Sequence, residues 1–151
     1  MSTMHWKRFL RRVGLALVCL GGPAVMADHH GEAPEPAYRS PNHICLSPDG
    51  RTAYIVNHTS DSISVLDVPG RRVLDEIPVG SFPAHATLSP DGLTLYVSSL
   101  ASNTVDVLDL RTRRTVASMP AGYEPYGTAL SPDGTALHVV NSLADTVSVL
   151  D

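Results

Sequence analysis

The strongest constraint on this chain is an internal repeat with a period of 42 residues. The tetrapeptide Ser-Pro-Asp-Gly occurs three times, and the tripeptide Val-Leu-Asp occurs three times at the same interval. A proline opens each unit, at Pro41, Pro83 and Pro125. Independent markers that share one interval indicate a single supersecondary unit repeated along the chain. Such a chain folds by stacking copies of that unit.

Each unit is predicted to contain four short strands. Val105 and Val107 alternate with polar neighbours, as expected for a half-buried strand. Ser-Pro-Asp-Gly is typical of a turn, because Pro presets φ, Asp bonds its own backbone and Gly accepts positive φ. Four antiparallel strands at this period predict an all-β fold built from β-propeller blades, arranged as a partial ring. In the second unit the predicted strands are 84–88, 93–99, 104–110 and 115–119.

The N-terminal segment is predicted to be a secretory signal peptide. Basic residues within 7–12 precede an apolar run at 13–20, which is too short to span a bilayer of about 30 Å. The segment 21–23 breaks that run, and Val25 and Ala27 occupy the positions that a signal peptidase reads. We expect cleavage after Ala27 and a periplasmic or secreted protein with no membrane span; a short membrane anchor is the alternative.

Composition narrows the classes of partner. Removing residues 1–27 takes four of the eleven basic residues and none of the fifteen acidic ones, which gives a net charge of −8 on 124 residues. An acidic exported domain is a poor candidate for binding nucleic acid or anionic lipid. Cys45 is the one cysteine left after cleavage, so no internal disulfide is expected.

The units resemble the YVTN repeat of β-propellers. Tyr-Ile-Val-Asn at 54–57 stands where that tetrapeptide belongs, and its counterparts lie at 96–99 and 138–141. The resemblance covers 41–151 and implies a seven-bladed ring related to surface-layer repeat proteins and to secreted lactonase-like propellers. It does not imply one activity, because binders, enzymes and haem proteins share the scaffold.

The predicted organisation is a signal peptide, a linker and a run of blades. A seven-bladed ring with this repeat needs roughly 290 residues. We therefore expect the chain to be a truncated version of a longer protein, with about two and a half blades. Its predicted segments are 1–27 (signal peptide), 28–40 (linker), 41–82 and 83–124 (complete blades), and 125–151 (an incomplete blade).

Two histidines are the first candidates for a ligand-binding site. His43 and His85 occupy the same place in successive blades, and Gly127 stands there in the third. The first strand of a propeller blade is innermost, so both imidazoles are expected near the rim of the central channel. They could bind a metal or an anionic ligand there, or simply pack against the loop between blades.

The second candidate site is the N-terminus that signal cleavage would create. A free amine, amide nitrogens and a histidine at the third position form a square-planar site suited to Cu(II) or Ni(II). Asp28, His29 and His30 would supply these groups. The alternative is a solvated linker, because 31–41 is rich in proline and charge.

Other repeated residues have simpler interpretations. Cys45 is expected to be a small core residue rather than a nucleophile. The arginine pairs at 71–72 and 113–114 are expected to be solvated, with an acidic partner as the alternative. Local turn bonding is expected to explain the polar residues that recur in the second turn of each blade, which are Asp61, Asn103 and Asp145.

Two functions remain open from the sequence. The first is an exported, non-catalytic propeller scaffold that binds a protein or small ligand, and we expect the chain as it stands to be of this kind. The second is the N-terminal part of a propeller enzyme or redox protein, either lactonase-like or fused to a cytochrome c domain. No cofactor motif is evident, since Cys-x-x-Cys-His is absent from the sequence. Open blade faces are a route to self-association.

Overall fold

A computed structural model describes residues 39–151. These residues form eleven strands in three antiparallel sheets, so the predicted all-β propeller fold is confirmed. None of the described residues forms a helix of the length and apolarity needed to cross a membrane. The strands are β1 (Pro41–Leu46), β2 (Thr52–Asn57), β3 (Ser62–Asp67), β4 (Arg72–Pro78), β5 (Pro83–Leu88), β6 (Thr94–Ser99), β7 (Thr104–Asp109), β8 (Arg114–Pro120), β9 (Pro125–Leu130), β10 (Leu137–Asn141) and β11 (Thr146–Leu150).

Each sheet is a simple meander, which we call a blade. Blade 1 is β1–β4, blade 2 is β5–β8, and blade 3 is β9–β11. The first strands lie side by side, because β1 packs against β5 and β5 packs against β9. They therefore form the inner edge of the described part of the ring. In the second unit, the predicted strand bounds agree with the observed ones to within one residue.

Left-handed backbone recurs at every turn with the period of the sequence. Gly50 and its counterparts close the Ser-Pro-Asp-Gly turns, in which the Gly50 N–H donates to the Ser47 carbonyl at 2.8 Å. The Ser47 hydroxyl and the Arg51 N–H both donate to Asp49, which confirms the predicted turn bonding and holds the pKa of that carboxyl below its usual range. The other left-handed positions form three sets, each with the spacing of the repeat. The first set is 40, 82 and 124, the second is 61, 103 and 145, and the third is 71 and 113.

The core lies between blades rather than within them, since a sheet can bury a face only against another element. The larger cluster is at the boundary of blades 1 and 2, and a smaller one of three buried residues, Val105, Leu137 and Val139, is at the boundary of blades 2 and 3. The buried members of the larger cluster are Tyr54, Val56, Ile63, Val65, Ile77, Ala86, Leu95, Val97 and Leu108.

Blade 3 presents a second apolar face that the described residues leave open. Val147 is 59% exposed, whereas Ile63, which holds the same repeat position in blade 1, is fully buried. Val140 and Val149 on this face are also more than half exposed. Self-association through such faces stays a prediction.

Candidate functional site

The two histidines singled out by the repeat come together at the inner edge of the sheets. His43 lies on β1 and His85 on β5, with ring centroids 4.0 Å apart and ring planes tilted by 41°. Both side chains are partly buried. The structure therefore places the predicted pair side by side, while ligand binding by it stays a prediction.

His43 caps an otherwise open strand edge. The Ala86 N–H donates to His43 Nδ1 at 3.3 Å. Because β5 is the first strand of its sheet, no strand is hydrogen-bonded to it on that side, although β1 packs nearby. Burial lowers the pKa of His43 below its ordinary value, so the ring is neutral at pH 7.

His85 makes its contact in the opposite direction, towards blade 3. Its Nδ1 lies 3.0 Å from Thr128 Oγ1 on β9. Thr128 in turn contacts the Thr87 hydroxyl, with the two oxygens 2.7 Å apart. The pKa of His85 is lowered by burial and, to a smaller extent, by the charge of His43. Two neutral imidazoles thus stand side by side.

A third imidazole, which the sequence analysis missed, contacts the start of β5. His58 Nδ1 is 3.0 Å from the Pro83 carbonyl oxygen, and the His58 ring lies 5.1 Å from that of Phe82. Asn42, next to His43 in the chain, donates to the same carbonyl at 3.3 Å. The repeat gave no signal for His58, because its counterparts in the other two units, at 100 and 142, are leucine and serine.

Cys45 is partly buried, at the edge of the core rather than fully inside it as predicted. It packs against the larger apolar cluster. Burial raises the pKa of its thiol to about 11, so the thiol is protonated at neutral pH and is a poor nucleophile.

The expectation of purely local bonding for the polar residues of the second turns is wrong for two of them. Asp61 Oδ1 accepts a hydrogen bond from the Phe82 N–H at 2.8 Å, and Asn103 Oδ1 accepts one from the Glu124 N–H at 3.0 Å. Each side chain reaches the connector that leads into the next blade, because the turn and that connector lie at the same end of the sheets. These residues join blades.

The arginines of the third turns behave as predicted. Arg72 pairs with Asp67 at 3.3 Å and Arg113 with Asp75 at 3.7 Å, and all four side chains are solvent accessible. Such exposed ion pairs contribute little to stability. The alternative, an acidic partner for these arginines, stays a prediction.

Among residues 39–151, no three histidine, cysteine or acidic side chains cluster closely enough to hold an ion. The copper or nickel site predicted at Asp28, His29 and His30 lies outside the described residues, as does the predicted signal peptide. Both stay predictions.

Comparison with known proteins adds a family to this geometry. The family described as "Lactonase, 7-bladed beta-propeller" matches residues 25–117. Among solved structures, Kuenenia stuttgartiensis hydrazine synthase is 30% identical with a TM-score of 0.74, over 83% of this chain and 36% of that chain. The periplasmic gluconolactonase PpgL of Pseudomonas aeruginosa is 27% identical with a TM-score of 0.68, over 76% of this chain and 36% of that one. The chain thus spans about a third of these structures; no curated protein matches it.

Proposed function

Because the chain belongs to the lactonase family of seven-bladed β-propellers, we propose that His43 and His85 form part of a site that opens lactone rings. The observation that carries this proposal is the pairing of two neutral imidazoles at the inner edge of the sheets. A lactone is a cyclic ester, so its hydrolysis needs a base for water and a donor for the carbonyl oxygen. Two adjacent neutral imidazoles can supply both.

One of the reported relatives supports the same class of chemistry. The P. aeruginosa protein is named as a gluconolactonase, and the similarity extends over three quarters of this chain at 27% identity. It is also named as periplasmic, which agrees with a signal peptide at residues 1–27. We therefore include export in the proposal. N-terminal sequencing of exported protein is expected to begin at Asp28, and an intact Met1 on membrane-bound material would contradict it.

A non-catalytic binding scaffold is the second candidate. Both Nδ1 atoms already contact the neighbouring blade, so the imidazoles also serve to join blades. In addition, the hydrazine synthase structure is similar to this chain at 30% identity, so likeness to the scaffold does not by itself favour lactones. In this alternative the pair binds a ligand without turning it over.

One experiment separates the two candidates. Purified full-length chain is incubated with D-glucono-1,5-lactone, with acid release followed at constant pH and binding measured by calorimetry. The enzyme hypothesis expects His43→Ala and His85→Ala to lower the rate by about 100-fold or more. His138→Ala is the control, because His138 is exposed on blade 3. Binding without acid release would favour the scaffold. The absence of both binding and acid release would contradict the proposal.

A further inference from the structure

Three hydrogen-bonded contacts run in series across the boundary of blades 2 and 3. Thr87 Oγ1 donates to the Thr128 carbonyl oxygen at 2.9 Å. The hydroxyl oxygens of Thr87 and Thr128 lie 2.7 Å apart. Thr128 Oγ1 then lies 3.0 Å from His85 Nδ1. We call this series of contacts, which joins Thr87, Thr128 and His85, the hydroxyl chain.

When all three contacts are hydrogen bonds, counting protons gives each of them a direction. A carbonyl oxygen only accepts, so the single proton of the Thr87 hydroxyl is committed to it. The contact between the two hydroxyls must then use the proton of Thr128. Thr128 has no second proton, so the proton in its contact with His85 comes from Nδ1. A neutral His85 therefore carries its proton on Nδ1 and leaves Nε2 as an acceptor.

The neighbouring ring is fixed in the opposite sense. The Ala86 backbone N–H only donates, so His43 Nδ1 is the acceptor and is unprotonated. A neutral His43 therefore carries its proton on Nε2. Two imidazoles whose centroids are 4.0 Å apart thus hold opposite tautomers, with a donor Nε2–H on His43 and an acceptor Nε2 on His85.

The fold does not require this arrangement. Cys45 and Ala86 hold, at the boundary of blades 1 and 2, the repeat positions that Thr87 and Thr128 hold at the boundary of blades 2 and 3. No hydroxyl chain can form there, yet β1 packs against β5 as β5 packs against β9. Packing of adjacent first strands therefore does not in itself require hydroxyls at these repeat positions.

We propose that Thr87 and Thr128 are positioning residues that hold His85 in its Nδ1–H tautomer and thereby make its Nε2 the general base. This inference rests on the proposed lactone-opening function of the same pair. Water transfers a proton to His85 Nε2 as its oxygen bonds to the carbonyl carbon. The carbonyl oxygen takes up the negative charge and accepts the Nε2–H of His43. The ring C–O bond then breaks, and the leaving oxygen takes the proton back from His85, which gives the hydroxy acid.

Nitrogen NMR of the full-length chain with labelled histidine tests the tautomer directly. At a pH where the ring is neutral, His85 is expected to be protonated at Nδ1, with its signals assigned by their loss in His85→Gln. Thr128→Val is expected to move the proton to Nε2, and Thr128→Ser to keep it on Nδ1. Thr115→Val is the matched control, because the Thr115 hydroxyl also donates to a carbonyl of the neighbouring blade, that of Pro78. A wild-type His85 protonated at Nε2, or an unchanged tautomer in Thr128→Val, overturns the proposal.

Kinetics separate failure of this inference from failure of the proposed function. With D-glucono-1,5-lactone, Thr128→Val is expected to lower kcat by on the order of 10- to 100-fold with little change in KM, and Thr128→Ser to restore it. A shifted tautomer with kcat unchanged overturns the positioning role. The expected tautomer in a chain that opens no lactone supports the assignment to Nδ1 and overturns the catalytic function instead.

Discussion

The two connectors between blades are held at equivalent positions by different chemistry. In the first connector, residues 79–82, the Gly80 N–H donates to the buried carboxylate of Asp106 at 2.8 Å. The Phe82 N–H donates to the carboxylate of Asp61, also at 2.8 Å. Both acceptors are carboxylates.

The second connector, residues 121–124, presents the same two backbone donors to amide oxygens. The Gly122 N–H donates to Asn141 Oδ1 at 3.1 Å, and the Glu124 N–H donates to Asn103 Oδ1 at 3.0 Å. Hydrogen bonds to ionised acceptors are shorter and stronger than neutral ones, and the distances follow that order. The repeat thus fixes where the donors lie, while individual residues set how strongly each connector is held.

The packing at the two boundaries differs in the same direction. The boundary of blades 1 and 2 holds nine buried apolar residues, whereas the boundary of blades 2 and 3 holds three. At the second boundary, hydroxyl groups contribute instead, through Thr87 and through the Ser98 hydroxyl, which donates to the Tyr126 carbonyl at 2.6 Å. We therefore expect blades 1 and 2 to be joined more firmly than blades 2 and 3.

The largest expected effect is the loss of stability when the apolar cluster between blades 1 and 2 is disrupted. Ile63→Ala removes a fully buried side chain from the larger cluster and is expected to lower the free energy of unfolding by about 2–5 kcal/mol. Val147→Ala is the control, because Val147 holds the same repeat position but is 59% exposed, and its effect is expected to stay within about 0.5 kcal/mol. Denaturant unfolding measures both. Equal losses would show that burial between blades 1 and 2 does not account for the contribution of Ile63.

The next largest effect is expected at the buried carboxylate. Asp106→Ala leaves the Gly80 N–H and the hydroxyls of Ser99 and Ser118 without their acceptor. Hydrogen bonds to a charged group contribute about 1.5–3 kcal/mol, so a loss of that order is expected. Ser148→Ala, at the equivalent position of blade 3, removes one neutral bond and is expected to cost about 0.5–1.5 kcal/mol. A larger loss for Ser148→Ala would reverse the proposed ranking of the connectors.

Exchanging the acceptors in the second turns gives a smaller and reciprocal effect. Asp61→Asn turns a charge-assisted bond to the first connector into a neutral one, and a loss of about 1 kcal/mol is expected. Asn103→Asp makes the opposite change at the second connector and is expected to stabilise it by a comparable amount. Thermal unfolding of the two single variants measures this. Losses of similar size in both would show that the charge of the acceptor does not matter here.

The fold was predictable from the sequence because its markers are local. Ser-Pro-Asp-Gly carries its own turn chemistry, and alternating Val105 and Val107 identify a strand without knowledge of its neighbours. The proximity of His43 and His85 could be anticipated for a related reason. Residues at the same position of the repeat lie side by side on adjacent inner strands.

Contacts between units were not predictable in the same way. Serine at 99 and aspartate at 106 replace the asparagine and serine of the other two units, and this exchange is visible in the sequence. Its meaning depends on strand register and on the approach of Gly80, which lie outside any single unit. The same exchange leaves the Thr104 hydroxyl with no hydrogen-bond partner among the described residues, whereas Asn57 donates to Ser62 in blade 1. Tertiary contact decides these details.

The smallest expected effect is a pH dependence that comes from the imidazole pair of His43 and His85. The pKa values of His43 and His85 are lowered in the folded chain, so between those values and the ordinary 6.5 the unfolded chain binds more protons. Stability is therefore expected to be constant above about pH 6.5 and to fall as the pH drops below it.

The double variant His43→Gln, His85→Gln isolates that step. Urea unfolding measured between about pH 5 and about pH 8 is expected to give a sloping profile for the wild type and a flatter one for the variant. Because both rings retain access to solvent, the difference is expected to be smaller than the losses caused by Ile63→Ala or Asp106→Ala. A profile with the same slope in the variant would assign the pH dependence to other groups.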